Sequence, residues 1–238
     1  MSLINYDSGM VNFGVKHTNA LVKTDYLSQD NIFDRPINLH ERQDFGEAVT
    51  FFHNVFDKEM CDYIINQCYL NNSWQKAITT GESNGIISAK DSPRQNDICY
   101  LTNNAPLMDI DAYIHRVFST ALSEYLKGLN ILGGVEEAGI TADEGYSVLR
   151  YPAGGYYKRH IDYSSYSAEN SQPIIRAISG LVYLNDDYEG GEVEFERQNI
   201  TVKPTAGGVI FFPSIFTHPH VAKTIVNGTK YCIVTWWK

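Results

Sequence analysis

Residues 146–162 read YSVLRYPAGGYYKRHID, and this stretch decides the fold. Two β-rich runs, 146–151 and 156–162, flank Pro152-Ala153-Gly154-Gly155, a turn signal. The second run ends in His160-Ile161-Asp162. Side chains two apart in a strand project to one face, so His160 and Asp162 are placed to grip one cation from one side.

The same punctuation continues to the last residue. Runs 174–184, 192–196, 209–212 and 230–237 are β-rich and are separated by Asn-Asp-Asp, Glu-Gly-Gly, Ala-Gly-Gly and Asn-Gly. Upstream the period changes. Residues 49–56 (VTFFHNVF) are β-prone, and Asp57 reads as an N-cap for a helix carrying Met60, Cys61, Ile64, Ile65 and Cys68. A longer helix starts at Pro106 and carries an apolar stripe of Leu107, Ile110, Ile114, Val117, Phe118, Ala121, Leu122 and Tyr125, with Gly128 as its stop. Helices first and short strands afterwards predict an α+β chain with a sandwich or jelly-roll core. Residues 1–48, with apolar patches at 11–15 and 20–22, read as an extension packed on that core with one or two edge strands.

The 238 residues carry a net charge of −9. Nucleic-acid binding rests on Lys and Arg neutralising phosphates, and docking on anionic membrane needs the same charges. Both partners are therefore disfavoured. No apolar run approaches a membrane span of ~18 residues. Cys61, Cys68, Cys99 and Cys232 form no CxxC pair, which argues against a zinc-thiolate site and for four reduced thiols. No signal-peptide pattern opens the chain, so a soluble, intracellular protein is expected.

A third ligand from a distant strand, His218 or His220, completes a set of two histidines and one carboxylate. Such a set leaves three adjacent positions open on an octahedral metal, the pattern of non-haem Fe(II) oxygenases.

Four ordered segments, 146–162, 180–195 (GLVYLNDDYEGGEVEF), 207–214 (GGVIFFPS) and 218–236 (HPHVAKTIVNGTKYCIVTW), resemble the 2-oxoglutarate/Fe(II)-dependent dioxygenases, in particular the prolyl 4-hydroxylase-like branch. The resemblance covers roughly residues 49–238. It implies a double-stranded β-helix (jelly roll, cupin-like) core over 140–238, with N-terminal helices over 57–128 packed on the major sheet. His160, Asp162 and His220 would be the iron ligands. His220 is preferred because the family places a Gly-x-basic step after its distal histidine, met here by Gly228 and Lys230. Lys230, where many relatives have Arg, would pair with the distal carboxylate of 2-oxoglutarate, and Tyr151 and Tyr183 would donate hydrogen bonds to that cosubstrate. Tyr157, Arg176 and Trp236 match positions on the substrate side. Tyr157 is out of strand parity with His160, so a bend is required, which Gly154-Gly155 permits. Two polar segments, 81–96 (containing Arg94, a further substrate-side candidate) and 163–173, are candidate covers.

The implied reaction consumes O2 and 2-oxoglutarate, releases succinate and CO2, and hydroxylates an unactivated C–H bond, with ascorbate as reductant. Asp162 favours hydroxylation, since related halogenases lack this carboxylate. The branch implies a protein or peptide substrate containing proline. Hydroxylation of a free amino acid or other small molecule, and a catalytically idle jelly-roll binding module, are the alternatives. Oligomeric state is not legible.

Overall fold

The computed structural model describes residues 32–71, 73–77, 92–166 and 173–238. The patches at 11–15 and 20–22, and positions 81–91 and 167–172 of the two polar segments, lie outside them.

Helix α1 (Lys58–Leu70) starts where its cap directs. The Asp57 carboxylate accepts the Met60 backbone N–H at 2.8 Å, and Met60, Cys61, Ile64 and Cys68 are buried. Helix α2 (Met108–Gly128) follows a 3-10 turn, Ala105–Leu107, that holds Pro106. Gly128 is its last residue and not the reversal point, which is Asn130 at φ 67°. A side chain at Gly128 would displace the Arg42 guanidinium, whose Nη1 donates to the Glu124 carbonyl at 2.9 Å.

Two sheets face each other. The major sheet has eight strands in the order Arg42–Gly46, Val49–Phe52, Val209–Pro213, Ile178–Tyr183, Thr229–Trp237, Ser147–Pro152, Asp97–Tyr100 and Gln75–Lys76. The minor sheet has five: Ile200–Val202, Val193–Phe195, His220–Ala222, Tyr156–His160 and Arg94–Gln95. Every ladder among the described residues is antiparallel. The hairpin of Arg42–Gly46 with Val49–Phe52 forms the outer edge of the major sheet, so residues 42–48 are continuous with the core. The run predicted over 174–184 is two strands, Pro173–Ile175 and Ile178–Tyr183, broken at Arg176.

The period of two sorts the major sheet's side chains into two cores. Val209, Phe211, Ile233 and Trp237 pack with Ile114, Val117, Phe118 and Tyr125 of α2 and with α1. Ile210, Phe212, Cys232 and Val234 pack across the sandwich on Val193, Phe195 and Val202 of the minor sheet. The central strands are thus buried on both faces, which is why VIFF (209–212) and CIV (232–234) read as unbroken apolar runs. No helix among the described residues is long and apolar enough to cross a membrane.

Phe211 sits where helix and sheet meet, with its ring centroid 5.2 Å from Tyr125, 5.6 Å from Trp237 and 6.1 Å from Phe118. Phe211→Ala leaves a cavity there. The expected loss is about 3–5 kcal/mol in urea unfolding, with an unchanged slope.

Candidate functional site

The metal-ligand cluster is built by strand register. His160, the last residue of its strand, pairs directly with His220, the first residue of the neighbouring one. Asp162 follows two residues later. Its Oδ1 lies 3.3 Å from His160 Nε2 and its Oδ2 lies 3.7 Å from His220 Nε2, and the three donor atoms all lie within 4.8 Å of one another. Each imidazole has its Nδ1 on a main-chain carbonyl: His160 on Lys158 at 2.8 Å, His220 on His218 at 3.1 Å. Those carbonyls assign the proton to Nδ1 and leave the Nε2 lone pair facing Asp162. Ser179 Oγ donates to Asp162 Oδ2 at 2.8 Å and is itself 2.8 Å from Ser214 Oγ, which fixes the carboxylate's rotation.

The electrostatics suit metal binding. Burial pushes the Asp162 carboxyl up, but His220 and then His160 outweigh it and hold the group below the ordinary carboxylate range. Burial takes His220 down to about 4, so the ring is neutral at pH 7 and free to ligate. His218 is elsewhere. Its Nε2 faces the Glu47 carbonyl at 2.6 Å and its Nδ1 the Thr217 hydroxyl at 2.8 Å, so it ties the turn of the edge hairpin and has no nitrogen to offer.

Behind the cluster a cavity opens between the sheets. Alternate residues of one strand line it: Lys230, Cys232, Val234 and Trp236. Leu149, Tyr151, Leu181 and Phe212 complete the wall on the major sheet, with Val193 and Ala222 opposite. Lys230 is 2% exposed. Its Nζ donates to the Gly191 carbonyl at 2.6 Å and has no carboxylate partner among the described residues. Burial lowers its pKa. The Nζ lies 5.0 Å from the Tyr183 ring and 6.0 Å from the Tyr151 ring, and Tyr151 stands opposite Lys230 in the ladder. The Tyr183 hydroxyl is buried with no hydrogen-bond partner among the described residues.

An unanswered buried ammonium and an orphaned buried hydroxyl are both costly. A carboxylate arriving from outside satisfies both. The two ends of the cavity thus fit two different parts of one ligand set: two imidazoles and a carboxylate for a divalent ion such as Fe(II), and a cation with hydroxyl donors for the far end of a dicarboxylate.

Around the mouth, Tyr157 stacks on His160 with centroids 3.5 Å apart and planes at 13°. The expected bend is not at Gly154-Gly155, which form a turn closed by the Gly155 N–H on the Pro152 carbonyl. It is a bulge: Tyr157 pairs with Ala222 and His160 with His220, three steps against two. Arg94 lies 4.8 Å over the Tyr157 ring, donates from Nε to Asn96 Oδ1 at 2.7 Å, and lines the cavity. Arg176 makes a two-pronged ion pair with Glu144, both contacts 2.7 Å, and its guanidinium lies 3.7 Å from the Trp236 ring. Its charge is therefore already answered. The partner, Glu144, carried no signal in the sequence beyond its sign, and neither did Ser179.

Residues 146–238 match the family model described as "2OG-Fe(II) oxygenase superfamily". That span contains the ligand cluster, Lys230 and both cavity walls. Over residues 146–238 the chain is thus similar to the 2-oxoglutarate–Fe(II) oxygenase superfamily. Within it, the chain is 36% identical over 67 residues to prolyl 3-hydroxylase 2 of Rattus norvegicus, covering 26% of this chain and 10% of that protein. It is 31% identical over 107 residues to probable prolyl 4-hydroxylase 9 of Arabidopsis thaliana, covering 39% of this chain and 36% of that one. The chain thus spans only a minor part of these relatives. A solved prolyl hydroxylase from Trichoplax adhaerens, in complex with a hypoxia inducible factor peptide fragment, superposes with a TM-score of 0.60 at 18% identity, covering 80% of this chain and 83% of that one. At that identity the likeness establishes the fold, a double-stranded β-helix of the oxygenase type.

Two expectations follow for the site. Calorimetric titration with Mn(II), a redox-quiet stand-in, gives one site in the unaltered protein and in His218→Ala, and none in His220→Ala. Lys230→Met raises the stability of the ligand-free protein by roughly 0.5–2 kcal/mol while abolishing dicarboxylate binding. The sign follows from the lowered pKa: at every pH below the ordinary lysine value, neutral pH included, burying this lysine works against folding, and methionine removes that opposition.

Proposed function

We propose that this protein hydroxylates an unactivated C–H bond of a peptidyl proline, coupled to oxidative decarboxylation of 2-oxoglutarate to succinate and CO2. One observation carries the reading. A buried Lys230, with no carboxylate partner among the described residues, faces the same cavity as a preorganised cluster of His160, Asp162 and His220. Metal and cosubstrate thus have separate anchors on opposite sheets.

His160, Asp162 and His220 would hold Fe(II), and the bound metal with 2-oxoglutarate supplies the oxidising chemistry. The chain's own residues do the rest. Ser179 fixes the Asp162 carboxylate. Lys230, Tyr183 and Tyr151 bind and orient the dicarboxylate. Leu149, Leu181, Phe212 and Val234 keep water from the cavity, which strengthens each polar contact within it. Tyr157, Trp236 and Arg94 border the open side and are assigned to substrate, with Arg176 holding Trp236 in place from behind.

The proline assignment rests on the relatives, which are named as prolyl 3- and 4-hydroxylases, and on a structural neighbour solved with a peptide. We place the new hydroxyl at C4, following the 4-hydroxylase branch of the sequence motifs.

The test is direct. The protein is incubated with Fe(II), 2-oxoglutarate, ascorbate and a panel of proline-containing peptides. Succinate release should match the gain of one oxygen atom on proline, and amino-acid analysis should show the 4-hydroxy isomer. Asp162→Ala abolishes both products. Succinate coupled to hydroxylation of a free amino acid, with peptides inert, contradicts the substrate assignment; 3-hydroxyproline contradicts the regiochemistry alone.

A further inference from the structure

Tyr188 lies beside Lys230, behind the residues that line the cavity. Its ring centroid is 5.9 Å from Lys230 Nζ, on the same cation that Tyr183 approaches to 5.0 Å. Its hydroxyl, like that of Tyr183, is buried with no hydrogen-bond partner among the described residues. Two orphaned hydroxyls beside one carboxylate-free ammonium are too costly a cluster to be incidental packing.

Gly191 creates the juxtaposition. At φ +70° its carbonyl receives Lys230 Nζ, and a Cβ there would stand 3.0 Å from Tyr188 Cε2 and 3.4 Å from Lys230 Cδ. The bare backbone therefore lets lysine stem and tyrosine ring lie together over it. Burial first, then Cys232 on the cavity wall, raise the Tyr188 pKa, so the group is a protonated donor at any physiological pH.

We propose that Tyr188 is a further cosubstrate-binding residue, its hydroxyl donating to the carboxylate that Lys230 receives. The inference rests on the 2-oxoglutarate reading above. Donor arithmetic supports it. A carboxylate offers about four lone-pair directions. An ammonium has three N–H groups, of which Lys230 spends one on Gly191; the remaining two, with one hydroxyl each from Tyr183 and Tyr188, match that number and leave the Tyr151 hydroxyl to the rest of the dicarboxylate. An ammonium is also a point charge without the directional fork of a guanidinium, so fixed hydroxyls supply the orientation that lysine lacks.

The test compares Tyr188→Phe with the unaltered full-length chain. Three readings are taken: the melting temperature of the metal-free protein, calorimetric titration of 2-oxoglutarate into the Mn(II)-loaded protein, and the kcat and KM for 2-oxoglutarate with Fe(II). Phenylalanine keeps the ring and removes only the hydroxyl. The expected result is an unchanged or raised metal-free melting temperature, roughly tenfold weaker 2-oxoglutarate binding as for loss of one charge-assisted hydrogen bond, and a raised KM at constant kcat. Equal 2-oxoglutarate affinity in the two proteins overturns the role of Tyr188 and leaves the cosubstrate reading intact. Weaker binding together with a lowered metal-free melting temperature shows a structural hydroxyl and also overturns it. Failure of the unaltered Mn(II)-loaded protein to bind 2-oxoglutarate overturns the cosubstrate reading itself, and this inference with it.

Discussion

The strand Thr229–Trp237 must satisfy two dry environments at once, and the rest of the site depends on that constraint. It pairs on both sides, with Ile178–Tyr183 and with Ser147–Pro152. Tyr231, Ile233 and Trp237 face the helices, while Lys230, Cys232, Val234 and Trp236 face the cavity. A slip of one residue would drive the lysine into the helical core and a tyrosine into the cavity. Asn185 helps to exclude the slip: its Oδ1 accepts the Tyr231 N–H at 2.8 Å and its Nδ2 donates to the Thr229 carbonyl at 2.7 Å. Gly180 supplies the complementary space, since a side chain there would collide with the Trp237 ring.

Charge accounting separates groups that hold the fold from groups that wait for a ligand. Arg150 answers Asp97 with two contacts of 3.0 and 2.8 Å, and Arg176 answers Glu144 with two of 2.7 Å. Among the described residues Lys230 has a carbonyl and no anion, while Asp162 leans on two imidazoles and a serine. Stability is spent at these two places, and both border the same cavity. That coincidence is what a binding site of a metal and a dicarboxylate requires, because each ligand removes a cost that the empty fold carries.

Much of this was legible before any coordinates. Runs of alternating or continuous apolar residues marked the long central strands, because those strands are buried on one or both faces. Asp57 marked the start of α1 through its cap, and the apolar stripe marked α2. The same-face rule placed His160 and Asp162 together. What stayed hidden has a common cause: it is set between segments and not within them. Arg42–Gly46 reads as polar because it is an edge strand with exposed positions. Ile200–Val202 and His220–Ala222 are three residues each, too short to show a period. The bulge that puts Tyr157 on His160 exists only in the pairing of two strands. Glu144 and Tyr188 acquire meaning only from Arg176 and Lys230, which the fold brings to them from far along the chain.

In the proposed function one cavity binds a metal through His160, Asp162 and His220 and, next to it, a dicarboxylate through Lys230. The most direct measurement is a visible spectrum recorded without oxygen, first with Fe(II) and then with 2-oxoglutarate. Chelation of the metal by the keto acid gives a weak charge-transfer band that neither ligand gives alone, and the account predicts that band, saturating at one equivalent. A folded, iron-loaded protein that shows no band on addition of 2-oxoglutarate would contradict it.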